Sequence, residues 1–222
     1  ETPTDPGSTD RTRVRRLPEK AVTDRRALHA VLDAGLVAHV AVVDDGQPFV
    51  VPVAYARRGE QVLFHGSTGS RLFRTLEAGQ PTCLTVTLLD GLVLARSAFE
   101  CSMNYRSVMV LGVARRLSDD DELDALRTIS EHLVPGRWSE ARHPSRKERA
   151  ATMTLAIDLT EASVKVSAGG PTEDDDDLAD PVLMRLWAGR VPLRETFGAP
   201  EADALTPPGT AVPDYVNGWQ RA

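Results

Sequence analysis

The chain has 222 residues, 41% of them hydrophobic and 26% charged, so it can bury a sizeable core and has the balance of a globular protein. Its net charge of −6, with no basic block beyond Arg11–Arg16, argues against nucleic acid as a partner, because phosphate contacts need a basic face. Two cysteines, Cys83 and Cys101, are too few for a disulfide framework and read as buried free thiols. No apolar run approaches the about 20 residues of a membrane-spanning helix and no signal segment is visible, so a cytoplasmic protein without a membrane partner is expected.

Residues 1–17 are rich in Pro, Thr, Asp and Arg without periodicity, and a disordered arm is expected there. "TDRRALHAVLDAG" predicts an amphipathic helix with Thr23 as N-cap, Ala27, Leu28, Val31 and Leu32 as its apolar face, and Gly35 as its stop. "LVAHVAVV" and "PFVVPVAYAR" predict two strands joined by a hairpin at Asp45-Gly46. A turn at "RRGE" precedes the strand "QVLFHG", and "SRLFRTLEAG" reads as a short helix ended by Gly79. "TCLTVTLL", a turn at Asp90-Gly91, "LVLARSAFE" and "YRSVMVLGVARRL" supply three more strands. Ser118 then N-caps an acid-led helix whose buried stripe is Leu123, Leu126, Ile129 and Leu133. "TMTLAIDLT" is a last long strand, with "SVKVSA" continuing the sheet.

Six or seven strands at short intervals predict a mainly β (α+β) domain over residues 18–168, an antiparallel barrel closed on itself with helices over its ends. Nothing alternates strand with helix as a parallel Rossmann sheet would. From Gly169 the texture shifts to "GGPTEDDDD", "WAGRVPLRETFG" and a Pro/Gly-rich tail, so residues 169–222 are expected to be an extension packed on the barrel or partly loose.

The segment "HGSTGSR" is the first candidate for chemistry. Backbone amides beside Gly66 and Gly69, the hydroxyls of Ser67, Thr68 and Ser70, and the Arg71 guanidinium could together hold an anion. A plain strand-to-helix connection uses the same residue types, and neither a P-loop nor a G-x-S-x-G pattern is present. His65, directly before the loop, is either a contact to the bound group or a hydrogen-bonded structural residue. The histidines show no paired metal spacing, and "EDDDD" lacks calcium-loop spacing and reads as a solvated charge run. "SMNYRSV" places Asn104 and Tyr105 at a turn, with Ser107 beginning the next strand, as polar groups able to edge a planar ligand. Trp138 and Trp187 are anchors of a core or an interface, or one of them touches a ligand.

Taken together, "VVPVAYA", "LFHGSTGSR", "LDGLVLARSAFECSMNYRSVMVLGVARRLSD" and "WAGRVPL" resemble the flavin-binding split-barrel superfamily that includes pyridoxamine 5′-phosphate oxidase, and within it the nitroimidazole-resistance-like branch. The resemblance runs from about Arg13 to Leu193 and rests on the order and spacing of these segments. It implies a six-stranded split barrel forming a homodimer, with a flavin in each of two clefts at the interface. Val51, Pro52, Val53 and Ala54 would flank the isoalloxazine ring. Ser67, Ser70 and Arg71 would hold the phosphate, with Gly66 in the same loop and His65 near the flavin. Asn104, Tyr105, Ser107 and Trp187 would surround the cleft. The E-F-W segment and the C-terminal substrate-binding arginine and histidine of pyridoxamine phosphate oxidases have no counterpart, which argues against that substrate. Relatives in the superfamily use FMN, FAD or a deazaflavin, and some bind haem. FMN is the first expectation here, FAD the second because the long extension could cover an adenosine, and haem the alternative with His65 as its axial ligand.

The absence of a convincing acid–base pair suits an oxidoreductase in which the cofactor supplies the chemistry, passing electrons or hydride to a small organic acceptor. The rival reading is a flavin or haem carrier without turnover.

Overall fold

The computed structural model describes residues 4–219. Its strands are β1 (Ala21–Val22), β2 (Val37–Asp44), β3 (Gln47–Arg58), β4 (Gln61–Ser67), β5 (Pro81–Leu94), β6 (Ser102–Val113), β7 (Arg115–Arg116), β8 (Thr152–Asp158), β9 (Glu161–Ser167) and β10 (Gly189–Pro192). The helices are α1 (Arg25–Ala34), α2 (Arg71–Glu77), α3 (Asp119–Leu133), α4 (Arg137–Glu140), α5 (Arg146–Ala150), α6 (Asp175–Ala179) and α7 (Asp214–Asn217). None of these helices is long and apolar enough to cross a membrane.

The strands form one antiparallel sheet in the order β1-β9-β6-β5-β2-β3-β4-β8-β7, with β10 added to β5. The expected closed six-stranded barrel is corrected in two respects: the described sheet has ten strands, and its ends are not joined by a ladder. It curls far enough for Gly112 of β6 to lie against Ile157 of β8, where an added Cβ would sit 3.2 Å from the isoleucine methyl. Side chains therefore meet across the gap where backbones do not. Val40, Tyr55, Phe64, Leu84, Val110 and Leu155 from six strands fill the enclosed core with Leu28 and Leu32 of α1. A second cluster lies on the outer face, where Ala56, Leu63 and Ala156 meet Ala125 and Ile129 of α3.

Local signals explain most elements. Asp45 and Gly46 have φ of 49° and 75°, the left-handed pair that a two-residue hairpin needs, and Asp44 faces Gln47 across it. Helix α1 buries Leu28, Val31 and Leu32 as its periodicity predicts, but its N-cap is Asp24, whose carboxylate accepts from the Arg26 amide, and not Thr23. On α3 the buried face is Glu122, Ala125, Leu126 and Ile129, while Leu123 is 36% exposed; the stripe is rotated because Glu122 is taken inward by Arg149 of α5.

The Asp90-Gly91 turn is not formed. β5 runs through it with a bulge between Leu89 and Gly91, and the chain reverses over residues 95–101. The reason is tertiary: β10 packs on the bulge so closely that a Cβ at Gly91 would lie 2.6 Å from the Val191 carbonyl oxygen. "SMNYRSV" accordingly lies within β6 and is not a turn. Cys83 is half-buried, which pushes its thiol pKa up, and Cys101 is exposed, against the expectation of two buried thiols.

Both terminal stretches lie on the sheet. Where disorder was expected, the Gly7 amide donates to the Ala162 carbonyl (2.7 Å), Thr12 is buried and Arg11 pairs with Glu161. In the C-terminal extension β10 pairs with Gly91–Leu94, Glu173 accepts from the Arg96 amide and guanidinium, and the Tyr215 hydroxyl donates to Glu140 (2.6 Å).

Candidate functional site

β3 changes partners along its length. From Gln47 to Ala54 it pairs with β2 alone, and from Tyr55 to Arg58 it pairs with β4. Beyond Tyr55↔Phe64 the two strands diverge, because β4 continues along β8 to Ser67↔Thr152. One edge of β3 over Gln47–Ala54 therefore has no strand partner among the described residues. Within this segment Val51 and Pro52 are exposed, and Val53 and Ala54 are half-buried. Phe49 and Val53 pack on the enclosed core, so the alternation turns Val51 toward the barrel mouth as well.

Facing that edge is the β4–α2 loop. Gly66 is there for packing: a Cβ would run into the Phe73 ring, which is buried and tilted against Phe64. The loop amides are already engaged. Thr68 donates to the Ala151 carbonyl (3.0 Å), Gly69 to the Ser67 hydroxyl (3.1 Å) and Ser70 to the Ser67 carbonyl (2.9 Å). What the loop offers a ligand is thus side-chain chemistry and not the row of free amides that its glycines suggested. The Ser70 hydroxyl caps no amide of α2. The Arg71 guanidinium lies 3.6 Å from the centre of the Phe49 ring and has no carboxylate partner among the described residues.

Arg71 stands between two openings. A cavity of about 180 Å³ is lined by Val42, Phe49, Val51, Ser70, Arg71 and Leu72. A wider groove of about 740 Å³ runs along Asp44–Gly46, Arg71, Arg74 and Gln80. The structure thus brings Val51, Ser70 and Arg71 together and adds Phe49, which sequence reasoning missed. Its signal was the phase of "PFVVPVAY", which sets Phe49 on the same face as Val51 and Val53.

His65 is the first β4 residue past the last pairing with β3, opposite Thr154 of β8. Its ring is open to solvent on one side, and the burial of the remainder lowers its pKa below the ordinary histidine value. The other expected residues lie elsewhere. Asn104 is buried and its amide donates to the Gly169 carbonyl (2.9 Å), fixing the start of the extension. Tyr105 and Ser107 face Ser167 and Lys165 across β6–β9, and Trp187 is 65% exposed beside Gly189. Asn104 borders a separate cavity of about 300 Å³ with Gly91, Arg190 and Arg194. A further cavity of about 420 Å³, also unanticipated, opens between the β2 start, β5 and the extension, and His39 and Arg106 line it.

The sequence pattern of the pyridoxamine 5′-phosphate oxidase family matches residues 24–166. No curated protein matches the chain. Among solved structures, the flavocytochrome Anf3 from Azotobacter vinelandii is 40% identical over 99% of this chain and 100% of that one, with a TM-score of 0.89. The FAD and heme binding protein from Mycobacterium smegmatis is 40% identical over 90% of this chain and 96% of its own, with a TM-score of 0.85. A Bacteroides thetaiotaomicron protein provisionally assigned to 5-nitroimidazole antibiotic resistance shares the fold at 19% identity, covering 66% of this chain and 86% of that one (TM-score 0.54). A match across the β2–β9 body, joined to the forked strand and loop described above, places the chain in the pyridoxamine 5′-phosphate oxidase-like split-barrel family.

Proposed function

We propose that the protein holds a flavin nucleotide in the opening between β3 and the β4–α2 loop, and a haem at a second place, as an electron-transferring flavohaem protein. One observation carries the flavin half: Arg71, which has no carboxylate partner among the described residues, faces the edge of β3 that no described strand pairs with, across a cavity walled by Phe49 and Val51. An unpaired strand edge offers amide and carbonyl groups to the polar rim of a flat ring, and a guanidinium suits a phosphate. Val51, Pro52, Val53 and Ala54 flank the ring, Ser67, Ser70 and Arg71 hold the phosphate, and His65 stands at the fork. The likeness to the M. smegmatis protein favours FAD over FMN, and the two 40% relatives support the haem half.

A bound flavin or haem supplies the redox chemistry; the chain positions it and sets its surroundings. Arg71 neutralises phosphate charge, Phe49 braces that guanidinium, and Gly66 lets Phe73 fix the helix that carries it. Asn104, Tyr105, Ser107 and Trp187 share no described cavity with Arg71, so their contact with the ring would need a second copy of the chain. Exposed Val37, Val43 and Val50 on the outer β2–β3 face give such a homodimer apolar surface to cover.

The test is the absorption spectrum of the purified protein, with chromatography of the nucleotide released on denaturation and sedimentation of the loaded protein. Flavin bands, released FAD, a Soret band and a dimer are expected. A colourless protein that takes up neither FAD nor FMN would end the flavin reading, and a loaded monomer would end the shared cleft. Steady reduction of a small organic acceptor separates an enzyme from a carrier.

A further inference from the structure

We infer that the cavity bordered by Asn104, Arg190 and Arg194 is an anion site for the phosphoryl group of a small molecule, independent of the flavin and haem reading above. It has a volume of about 300 Å³, and β10 with the residues that follow it forms one wall. It shares no lining residue with either opening beside Arg71. The volume lies at the small end of the range for ligand sites, roughly 300–1,000 Å³. It therefore admits a phosphate or a compact phosphate ester.

Strand register builds the cavity. β10 pairs with β5 through Arg190↔Val93 and Pro192↔Gly91, and β5 pairs with β6 through Val93↔Ser102 and Gly91↔Asn104. Directly opposed residues share a face of the sheet, and the alternation puts Arg190 and Pro192 on that face together with Gly91 and Asn104. Gly91 stands between Pro192 and Asn104 without a side chain. A Cβ there would lie 2.6 Å from the Val191 carbonyl oxygen, so no other residue can fill the gap. The Leu193 amide donates to the Asp90 carbonyl (3.0 Å), which carries the pairing one step past Pro192 and keeps Arg194 in line with Arg190. Gly169 also borders the cavity, with φ of 109° and nothing within 4 Å of where a Cβ would stand. Backbone, and not a side chain, limits the space on that side.

The charge there is unbalanced. Arg190 and Arg194 have no carboxylate partner among the described residues. The one carboxylate bordering the cavity, Asp90, is already forked by Arg106 through Nε (3.0 Å) and Nη2 (2.8 Å). The groove of Arg71 and Arg74 differs, because Asp44 and Asp45 border it as well. Two guanidiniums on one small cavity repel each other, and an anion between them turns that repulsion into attraction. A guanidinium presents a planar fork that matches phosphate oxygens, and a phosphate monoester brings a charge of about −1.5 to −2 for two such forks to share. Asn104 adds a neutral donor. It is buried, one N–H goes to the Gly169 carbonyl (2.9 Å), and the amide has a second for a bound oxygen.

The experiment titrates inorganic phosphate, AMP and adenosine by calorimetry into the purified full-length chain, once saturated with FAD and once without it. Phosphate and AMP should bind in both and adenosine in neither. Arg190→Ala and Arg194→Ala should each weaken phosphate and AMP binding by roughly tenfold or more, the loss of one hydrogen bond to a charged group. Arg190→Lys should recover part of that loss. Arg185→Ala, at an exposed arginine of the same extension that does not border the cavity, should change nothing. Both cavity arginines are exposed, so melting temperature and FAD affinity should be unaltered in every variant. AMP binding more tightly than phosphate makes the occupant a phosphorylated small molecule, and equal affinity makes it the free ion; both support the site. Binding of neither, equal binding of adenosine and AMP, or binding that survives the double substitution of Arg190 and Arg194 by Ala overturns it. So do equal losses in Arg185→Ala. If the arginine variants lose FAD and keep phosphate, the cavity is the far end of a flavin site completed by a second copy, which also overturns this inference. A chain that takes up no flavin ends the flavin reading and leaves the titration without FAD to decide this one.

Discussion

The two halves of β3 lie on one continuous strand and do different work. Tyr55–Arg58 pairs with β4, and Tyr55 and Ala56 are buried on opposite faces, one in the enclosed core and the other against α3. In Gln47–Ala54 one edge has no strand, and Val50 is 62% exposed. An edge left open on a long apolar strand invites wrong pairing, and proteins normally cover it or charge it. Here it faces Arg71, which is held over the Phe49 ring and has no carboxylate partner among the described residues. The contrast separates folding from binding along a single strand: substitutions in the sealed half should change stability, and those facing the open half should change ligand affinity.

The largest effect belongs to the sealed half. Tyr55 is fully buried, donates its hydroxyl to the Leu32 carbonyl at 2.6 Å and lies 5.6 Å from the His132 ring. Tyr55→Ala should cost about 3–5 kcal/mol in urea unfolding, the range for truncating a core aromatic. Tyr55→Phe should cost less, about 1–3 kcal/mol, since it removes the donor to a buried carbonyl and keeps the ring. If Tyr55→Ala left stability intact while abolishing flavin binding, the two halves would have exchanged roles.

Next is Arg71. Arg71→Ala should weaken FAD or FMN binding by about 1.5–3 kcal/mol, roughly ten- to hundredfold. Folding stability should fall by no more than about 1 kcal/mol, the scale of an exposed cation–π contact with Phe49. Arg71→Lys should recover only part of the affinity, because an ammonium lacks the planar fork. Riboflavin has no phosphate and should respond to neither change; equal losses for riboflavin and FMN would make Arg71 a support for the fold. Gly66→Ala sharpens the same boundary from the packing side. Its Cβ would press on the Phe73 ring, and such overpacking typically costs about 1–3 kcal/mol. Because Phe73 lies on the helix that carries Arg71, affinity should fall together with stability, unlike in Arg71→Ala.

How far these roles could be read from the sequence depended on whether the signal was local. Asp45-Gly46 and Asp90-Gly91 are the same dipeptide between apolar strands. The first forms the hairpin, because nothing overrides its left-handed preference. The second is held in line by β10, about a hundred positions later in the chain, and no window around it contains that information. The loop "HGSTGSR" was recognisable as a candidate site, but the reason for Gly66 was hidden, since the residue it makes room for is Phe73 and not a phosphate. The amides of residues 68–70 looked available only because their acceptors on Ala151 and Ser67 are a matter of tertiary structure and turn geometry. Arg71, by contrast, was legible at once: a lone arginine opening a helix after a polar loop keeps its charge wherever the chain goes. Phe49 and His39 were legible only as strand phase, which assigns a face and not a neighbour.

The smallest effect should come from His65, which sits at the fork itself. Partial burial disfavours its charged form, so its folded pKa lies below the ordinary value of about 6.5. As pH falls, the unfolded chain therefore takes up this proton first. The contribution is fully present above about pH 6.5 and is lost as pH falls through the folded pKa. Melting temperatures measured downward from neutral pH should fall slightly more steeply for the unsubstituted chain than for His65→Gln, which has no proton to gain there. Identical slopes would mean that the ring is solvated in the folded state. The same titration, followed by NMR of the imidazole C–H with nucleotide added, tests to which half His65 belongs. A bound phosphate close by would favour imidazolium and raise the pKa, whereas a flavin ring laid over the histidine would exclude water and lower it further. Either shift joins His65 to the open half. An unchanged pKa on saturation with FMN or FAD would assign it to the sealed half, as the residue that ends the β3–β4 pairing and nothing more.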